Sequence, residues 1–234
     1  MIFNNKVAIV TGASRGIGKQ IADDIEKLGG KVIRMDSKNL NLNRDYSFIV
    51  NDLIKITKNV KKIDCVINNA GINKYSTTLT EEGINYNKFN DFEEILKVNL
   101  IAPFVIIHTL IGINKLSRKS RIVNIASISG TISMPKRNAY TASKFGLKGL
   151  TKSMAIDLSQ YKILVNSVSP GVTNTDMTNN MLSEKGVKNM KDNILLDRLA
   201  NTSEISKLVC FLASDDNTYI TGQDYIIDGG YTCK

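Results

Sequence analysis

Apolar runs of strand length alternate along this chain with longer stretches of helical period, the pattern of strand–helix–strand units around a parallel sheet. VAIVT (Val7 to Thr11) predicts the first strand, a helix from about Gly16 to Leu28 stops at Gly29-Gly30, and KVIRMD ends a second strand at Asp36. YSFIV predicts a third strand, stopping at Asn51-Asp52, and DCVIN a fourth that runs into Asn69-Ala70-Gly71. A polar stretch with Gly83 leads into a helix from near Asp91 through Asn99 towards Leu110, bent at Pro103. RIVNIAS (Arg121 to Ser127) predicts the fifth strand, and a long helix from about Asn138 to Ser159 follows. The sixth, ILVNSVS, ends at Pro170-Gly171; a polar, Met-containing segment then spans Val172 to Ala200. Asn201, with Glu204 three residues on, has the spacing of a capping box and opens the last helix before the strand DYIID. With no linker, repeat or low-complexity tract, the order predicts a single α/β domain over residues 1–234: a doubly wound parallel β-sheet with helices on both faces.

Composition narrows the class. At 234 residues and 42% hydrophobic content the chain is large enough to bury a full core. No run approaches the ~18 apolar residues of a membrane span, and MIFNNKVAIV lacks the order of a signal peptide. The expectation is a cytoplasmic protein with no membrane partner. Lys+Arg 31 against Asp+Glu 22 gives +9, which raises the question of an acidic partner. The lysines are dispersed, however, and Trp is absent, so no base-stacking platform is evident and no nucleic acid is expected. Cys65, Cys210 and Cys233 form no CxxC pair, and His108 is the one histidine, so no metal site is expected.

Thr11-Gly12-Ala13-Ser14-Arg15-Gly16-Ile17-Gly18 lies between the first strand and the first helix. There, backbone N–H groups and the positive end of a helix can hold a pyrophosphate, while glycines permit close approach. The spacing is G-x-x-x-G-x-G, and a tight strand-to-helix turn needs glycine whatever it binds; its place after the first strand favours a dinucleotide. Asp36, 18 residues after Gly18, ends the second strand, where a carboxylate can accept from adenosine ribose hydroxyls. Asp52, just past the predicted third strand, is a candidate for the adenine amino group, or else a solvated loop carboxylate.

Tyr140 and Lys144 stand four apart within the long predicted helix and share a face. Bringing a phenol from ~10 to near neutrality takes roughly 3 units, or ~4 kcal/mol, which a nearby ammonium and a cationic nicotinamide can supply. A tyrosinate so poised can exchange the hydroxyl proton while a hydride moves. Ser127, 13 residues earlier at a strand end, can hydrogen-bond the substrate oxygen. Asn99 can hold a water chain that returns protons to solvent.

Taken in order, TGASRGIG, NNAG (Asn68 to Gly71), Asn99, Ser127, YTASK (Tyr140 to Lys144), PGVTNT (Pro170 to Thr175) and YITGQDYIIDGG resemble the short-chain dehydrogenase/reductase family, over Lys6 to nearly the C-terminus. The likeness is greatest to the branch of 3-oxoacyl-[acyl-carrier-protein] reductases. It implies a Rossmann-type fold, a nicotinamide cofactor and the catalytic tetrad Asn99, Ser127, Tyr140 and Lys144. It also implies that Thr11, Gly12, Arg15, Gly16, Ile17 and Gly18 line the pyrophosphate, that Asn69, Ala70 and Gly71 support the adenosine and ribose region, and that Lys144 also holds the nicotinamide ribose. Pro170, Gly171, Val172 and Thr175 would border the nicotinamide, with residues 172–200 closing as a substrate lid. The family commonly forms tetramers through the helices near Asn99 and Tyr140, which would make His108 an interface or core residue.

Departures from the family pattern bear on substrate and cofactor. Only 32 residues separate Asp36 from Asn68, so the helices flanking the third strand should be short or partly missing, and the stretch from Gly71 to Asn99 is long. Asp197 and Ala200 stand where relatives often carry glycine, and Thr202 where they often carry proline. Asp36 favours NAD(H) by repelling a 2′-phosphate, while Arg15 leaves NADP(H) open. The leading expectation is an NAD(P)(H)-dependent oxidoreductase interconverting a carbonyl and a secondary alcohol with Tyr140 as general acid/base. A 3-oxoacyl thioester, with acyl carrier protein as a partner, stands beside a sugar, polyol or other small alcohol. A non-catalytic nicotinamide-binding regulator is disfavoured by the tetrad, and a sugar-nucleotide epimerase by the absence of a substrate domain after Gly230.

Overall fold

In the computed structural model, residues 2–77 and 86–233 are described; the polar stretch around Gly83 lies outside them. The strands are β1 (Val7–Thr11), β2 (Lys31–Met35), β3 (Ile63–Asn68), β4 (Leu116–Ile125), β5 (Leu164–Pro170) and β6 (Asp224–Ile227). They form one sheet in the order β2-β1-β3-β4-β5-β6 with every neighbouring pair parallel. The helices are α1 (Gly16–Lys27), α2 (Tyr46–Thr57), α3 (Tyr86–Leu96), α4 (Ala102–Gly112), α5 (Asn138–Leu158), α6 (Asp176–Met181), α7 (Glu184–Lys191) and α8 (Thr202–Ala213). On one face α1 and α8 pack Ile21, Ile25, Ile205 and Val209 into the core; on the other lie Leu53 of α2, Ile106 and Leu110 of α4, and Met154 of α5. The capping box is present: Asn201 N–H donates to the Glu204 carboxylate at 2.8 Å.

The predicted third strand is the main correction. YSFIV opens α2, and β1 pairs directly with β3. Alternation would have set Ser47, Ile49 and Asn51 on one face, whereas the helix buries Ile49, Leu53 and Thr57 at four-residue spacing and leaves Tyr46, Phe48 and Ile54 outward. Thus the short interval after Asp36 removes the third strand itself, and β2 becomes the sheet edge. Leu40 and Leu42, in the loop before α2, are buried against the same layer as Met35 and Ile49.

The long central helix is present as expected and starts earlier, at Tyr86. Asn87–Gly112 is continuous through α3, a π-helical turn at Lys97–Ile101, and α4, and by length and composition alone it would cross a membrane. Its buried side chains Val98, Ala102, Ile106 and Leu110 belong to the core, as in the central helix of a globular domain. Pro103 is accommodated by the π turn: Ala102 N–H bonds to Lys97, five residues back. That wider turn relieves the clash a proline ring makes with the carbonyl four residues earlier, here Asn99, which also receives no N–H from Pro103.

Candidate active site

A cavity of about 640 Å³ opens at the carboxyl ends of the strands, where the strand order reverses between β1 and β3. Gly12 and Gly16 have φ of +65° and +56°, a region that favours glycine. A Cβ on Gly12 would meet Ala70 Cα at 2.9 Å, and one on Gly18 would lie 2.3 Å from both Asn69 Nδ2 and the Gly12 carbonyl. The turn is held from behind: Thr11 Oγ1 accepts from Asn69 N at 3.0 Å and Ala70 N at 2.9 Å, and Asn69 Nδ2 donates to the Thr11 carbonyl at 2.9 Å. No side chain caps α1, and its first turn carries no acidic residue. Its N–H groups therefore suit the pyrophosphate of a dinucleotide.

Arg15, Gly16 and Ile17 line this end of the cavity, as do Asp36, Asn69, Ala70 and Gly71. Asp36 Oδ1 accepts from Lys38 N at 2.9 Å, which orients the carboxylate at the edge of β2. Arg15 is exposed and has no ion-pair partner among the described residues. Gly18 stands behind the wall, as packing for Asn69. Asp52 is a correction: it sits on α2, 3.9 Å from Arg44 and away from the cavity lining, because the strand expected to deliver it is a helix. The loop residues Asn41, Leu42 and Asn43 line the cavity instead.

Ser127, Tyr140 and Lys144 converge on the far end. A buried ladder fixes α5 to the strand ends: Asn68 Nδ2 donates to Asn124 Oδ1 at 2.8 Å, and Asn124 Nδ2 to Thr151 Oγ1 at 2.9 Å. Ser127 Oγ accepts from Ser129 N at 3.1 Å. Burial pushes the Tyr140 phenol up from its ordinary value, while Ser127 and the Arg137 charge pull it back. Lys144, nearly fully buried, donates to the Ile125 carbonyl at 2.8 Å, with its ammonium 5.5 Å from the centre of the Tyr140 ring. Burial brings its pKa down to about 8. Asn99 is not on the cavity surface: Oδ1 accepts from Ile72 N and Nδ2 donates to the Ile72 carbonyl, both at 2.9 Å. Nδ2 also donates to Ser143 Oγ at 3.1 Å, and Ser143 in turn to the Tyr140 carbonyl at 2.7 Å.

Pro170, Gly171, Val172 and Thr175 form the adjoining wall. Thr175 caps α6, accepting from Thr178 N at 3.4 Å, and its methyl would touch a Cβ at Gly16 at 3.5 Å. Val172–Ala200 is tied at its base, Ala200 N donating to Val172 and Asn174 N to Ala200 at 3.1 and 2.9 Å, while α6 and α7 bury no residue. His108 is outside the site and outside the core, stacked on Phe104 at 5.6 Å on the exposed side of α4. Sequence reasoning missed Asn73 and Arg137, which line the cavity, and Tyr75, whose ring lies under the Arg137 guanidinium. Their one sequence signal is that Arg137 stands three residues, about one helical turn, before Tyr140.

A family model described as enoyl-(acyl carrier protein) reductase matches residues 44–232, and one described as short chain dehydrogenase matches residues 6–47. The chain is 34% identical to the 3-oxoacyl-[acyl-carrier-protein] reductase FabG of Escherichia coli (strain K12), covering 98% of each. Among solved structures, 4-hydroxyisoleucine dehydrogenase complexed with NADH superimposes with a TM-score of 0.84 at 32% identity, over 98% of this chain and 100% of that one. A blue fluorescent protein from a metagenomic library, in complex with NADPH, gives 0.82 at 25% identity, over 99% and 100%.

Proposed function

This chain belongs to the short-chain dehydrogenase/reductase family, and from that premise we propose which of its residues carry the NAD(P)-dependent interconversion of a carbonyl and a secondary alcohol. The observation that carries the reading is the meeting of Ser127, Tyr140 and Lys144 at one end of a cavity whose other end is the glycine turn. When bound, a nicotinamide dinucleotide supplies the hydride donor or acceptor. Tyr140 Oη gives a proton to the carbonyl oxygen in reduction and takes it in oxidation. Ser127 holds the same oxygen as its charge develops. Lys144 places a cation by the phenol and returns protons towards solvent. The Asn99 amide, committed to Ile72 and Ser143, positions α5. A water relay through Asn99 then uses its main-chain carbonyl, which Pro103 leaves without the usual helical donor.

The names of the curated relatives support a 3-oxoacyl thioester as substrate, with acyl carrier protein drawn by the basic surface. The likeness to 4-hydroxyisoleucine dehydrogenase favours a second reading, a hydroxylated acid. Asp36 supports a preference for NAD(H), since a 2′-phosphate there would meet a carboxylate. The tied base of Val172–Ala200 supports its role as a substrate lid, and the exposed Phe104 and Phe145 on α4 and α5 support assembly into a homotetramer through those helices. A soluble, cytoplasmic enzyme accords with the same relatives.

Cofactor absorbance with a panel of 3-oxoacyl thioesters, oxo acids, sugars and cyclic ketones tests the reading, with NADH and NADPH compared for each. Tyr140→Phe should lower kcat by about 10³-fold, in line with general acid–base contributions, while NADH binding stays within about threefold, ~0.6 kcal/mol. Turnover surviving in the variant overturns the role of Tyr140; a strong NADPH preference overturns that of Asp36.

A further inference from the structure

Beyond the pull of its charge on the Tyr140 phenol, one cation of the substrate end has no part in hydride transfer. Arg137 is 9% exposed yet lines the cavity, three residues before Tyr140 at the start of α5. Its guanidinium lies 4.4 Å over the Tyr75 ring, Nη1 donates to Asn73 Oδ1 at 2.9 Å, and Nη1 also approaches the Met181 sulfur at 3.7 Å. Among the described residues no carboxylate comes within ion-pair distance of it. Lys74, in the same loop as Asn73, pairs with Asp91 and Glu94, and Glu94 at the cavity wall is thereby already neutralised.

A guanidinium stays charged in proteins, so burying it without an anion costs several kcal/mol. Burial indeed weighs against its charged form. The ring and the amide oxygen fix its plane but are neutral groups. Asn73 uses one of five N–H donors, which leaves a fork suited to a planar anion. Ile128, Met134 and Met181 also line the cavity, Met181 beside Arg137 itself, and add apolar surface for a short carbon chain.

We propose that Arg137, laid on Tyr75 and anchored to Asn73, binds a carboxylate of the substrate, so that the enzyme interconverts a hydroxy acid and its oxo acid in preference to a thioester or a neutral alcohol. This rests on the hydride-transfer reading and selects the substrate class within it. In oxidation the carbinol C–H bond breaks with its electron pair passing to NAD⁺, the O–H proton goes to Tyr140, and the carboxylate is unchanged.

The test compares free 3-oxo acids with their methyl esters and N-acetylcysteamine thioesters on one carbon skeleton, using the full chain and NADH. The wild type should show the higher kcat/KM on the free acid. Arg137→Met should lower the acid-over-ester ratio by about 10–100-fold, chiefly through KM, the range for losing a charged hydrogen bond, and Arg137→Lys should restore part of it. Preference of the wild type for ester or thioester, or an unchanged ratio in Arg137→Met, overturns the proposal. A binding arm separates the two readings: calorimetry of 3-hydroxybutyrate on NADH-loaded protein, a pair that cannot react. Binding to wild type that weakens in Arg137→Met supports the carboxylate site even if no compound turns over; absence of binding to wild type overturns it even if the esters are reduced.

Discussion

The two ends of the cavity are built by different means. At the cofactor end the wall is main chain: a glycine turn, the uncapped start of α1, and Asn69 and Thr11 bonded into the backbone behind it. At the substrate end it is side chain: Arg137 on Tyr75, Met181 beside it, and two short helices that bury nothing. Backbone geometry tolerates few residue types, because a Cβ at Gly12 or Gly18 collides with main-chain atoms. A wall of side chains tolerates many. The first end is therefore fixed across a chemistry and the second is free to set its substrate.

The sharpest way to break this contrast is to add one carbon at the rigid end. Gly18→Ala places a Cβ 2.3 Å from the Gly12 carbonyl and Asn69 Nδ2, neither of which moves without opening the turn. Overpacking of that kind costs about 1–3 kcal/mol, and the NADH dissociation constant should rise by about tenfold or more, 1.4 kcal/mol for each factor of ten. Gly149→Ala is the control: it lies exposed within α5 with nothing near its Cβ, and should stabilise by about 0.5–1 kcal/mol with no change in NADH binding. Urea melts and NADH titrations of both variants measure this. Equal NADH affinity in the two would mean that the turn yields as easily as a surface helix.

The same difference explains what could be read from the sequence. The glycine turn, Asp36, NNAG, Ser127 and the Tyr140–Lys144 spacing were legible because each is a fixed offset imposed by a strand end or a helix face. The capping box at Asn201 was legible for the same reason. YSFIV misled because a five-residue apolar run carries too little period to separate strand from helix; the deciding residues, Leu53 and Thr57, lie beyond the Asn51-Asp52 break. Asp52 failed with it. Arg137, Tyr75 and Asn73 had no signal as a group, since their meeting depends on a long loop packing beside α5.

Lys144 lies between the two ends and gives an effect of intermediate size. Its pKa of about 8 against 10.5 means that the folded chain binds fewer protons than the unfolded one between those values. Stability therefore rises with pH through that window, and below about pH 8 the buried ammonium costs up to about 3 kcal/mol. Lys144→Met removes this cost but leaves the Ile125 carbonyl without its donor, a loss of about 1–2 kcal/mol. The variant should be inactive, slightly more stable than wild type at pH 7, and less stable than it near pH 10.5. Paired urea melts at the two pH values check the crossing; a stability difference that is the same at both would show that Lys144 titrates as an exposed lysine does.

The smallest effect belongs to the return of the substrate segment. Asp197 holds φ of +52° at a position where glycine would carry no strain, and its N–H bonds to Ile194 at 2.9 Å. Asp197→Gly relieves a left-handed residue, worth about 1 kcal/mol, and adds unfolded-state entropy of similar size and opposite sign. The two nearly cancel, so the melting temperature should move by only a few degrees. KM is the more sensitive readout, because Leu195 and Ile194 pack on Gly230 and Gly229 just beyond this bend. With the bend loosened, KM for the substrate should shift by about two- to threefold, under ~0.7 kcal/mol, while NADH affinity stays at the wild-type value. A matching shift in NADH affinity would mean that the bend is transmitted to the glycine turn, beside which Thr175 stands, and the two ends would then be one mechanical unit.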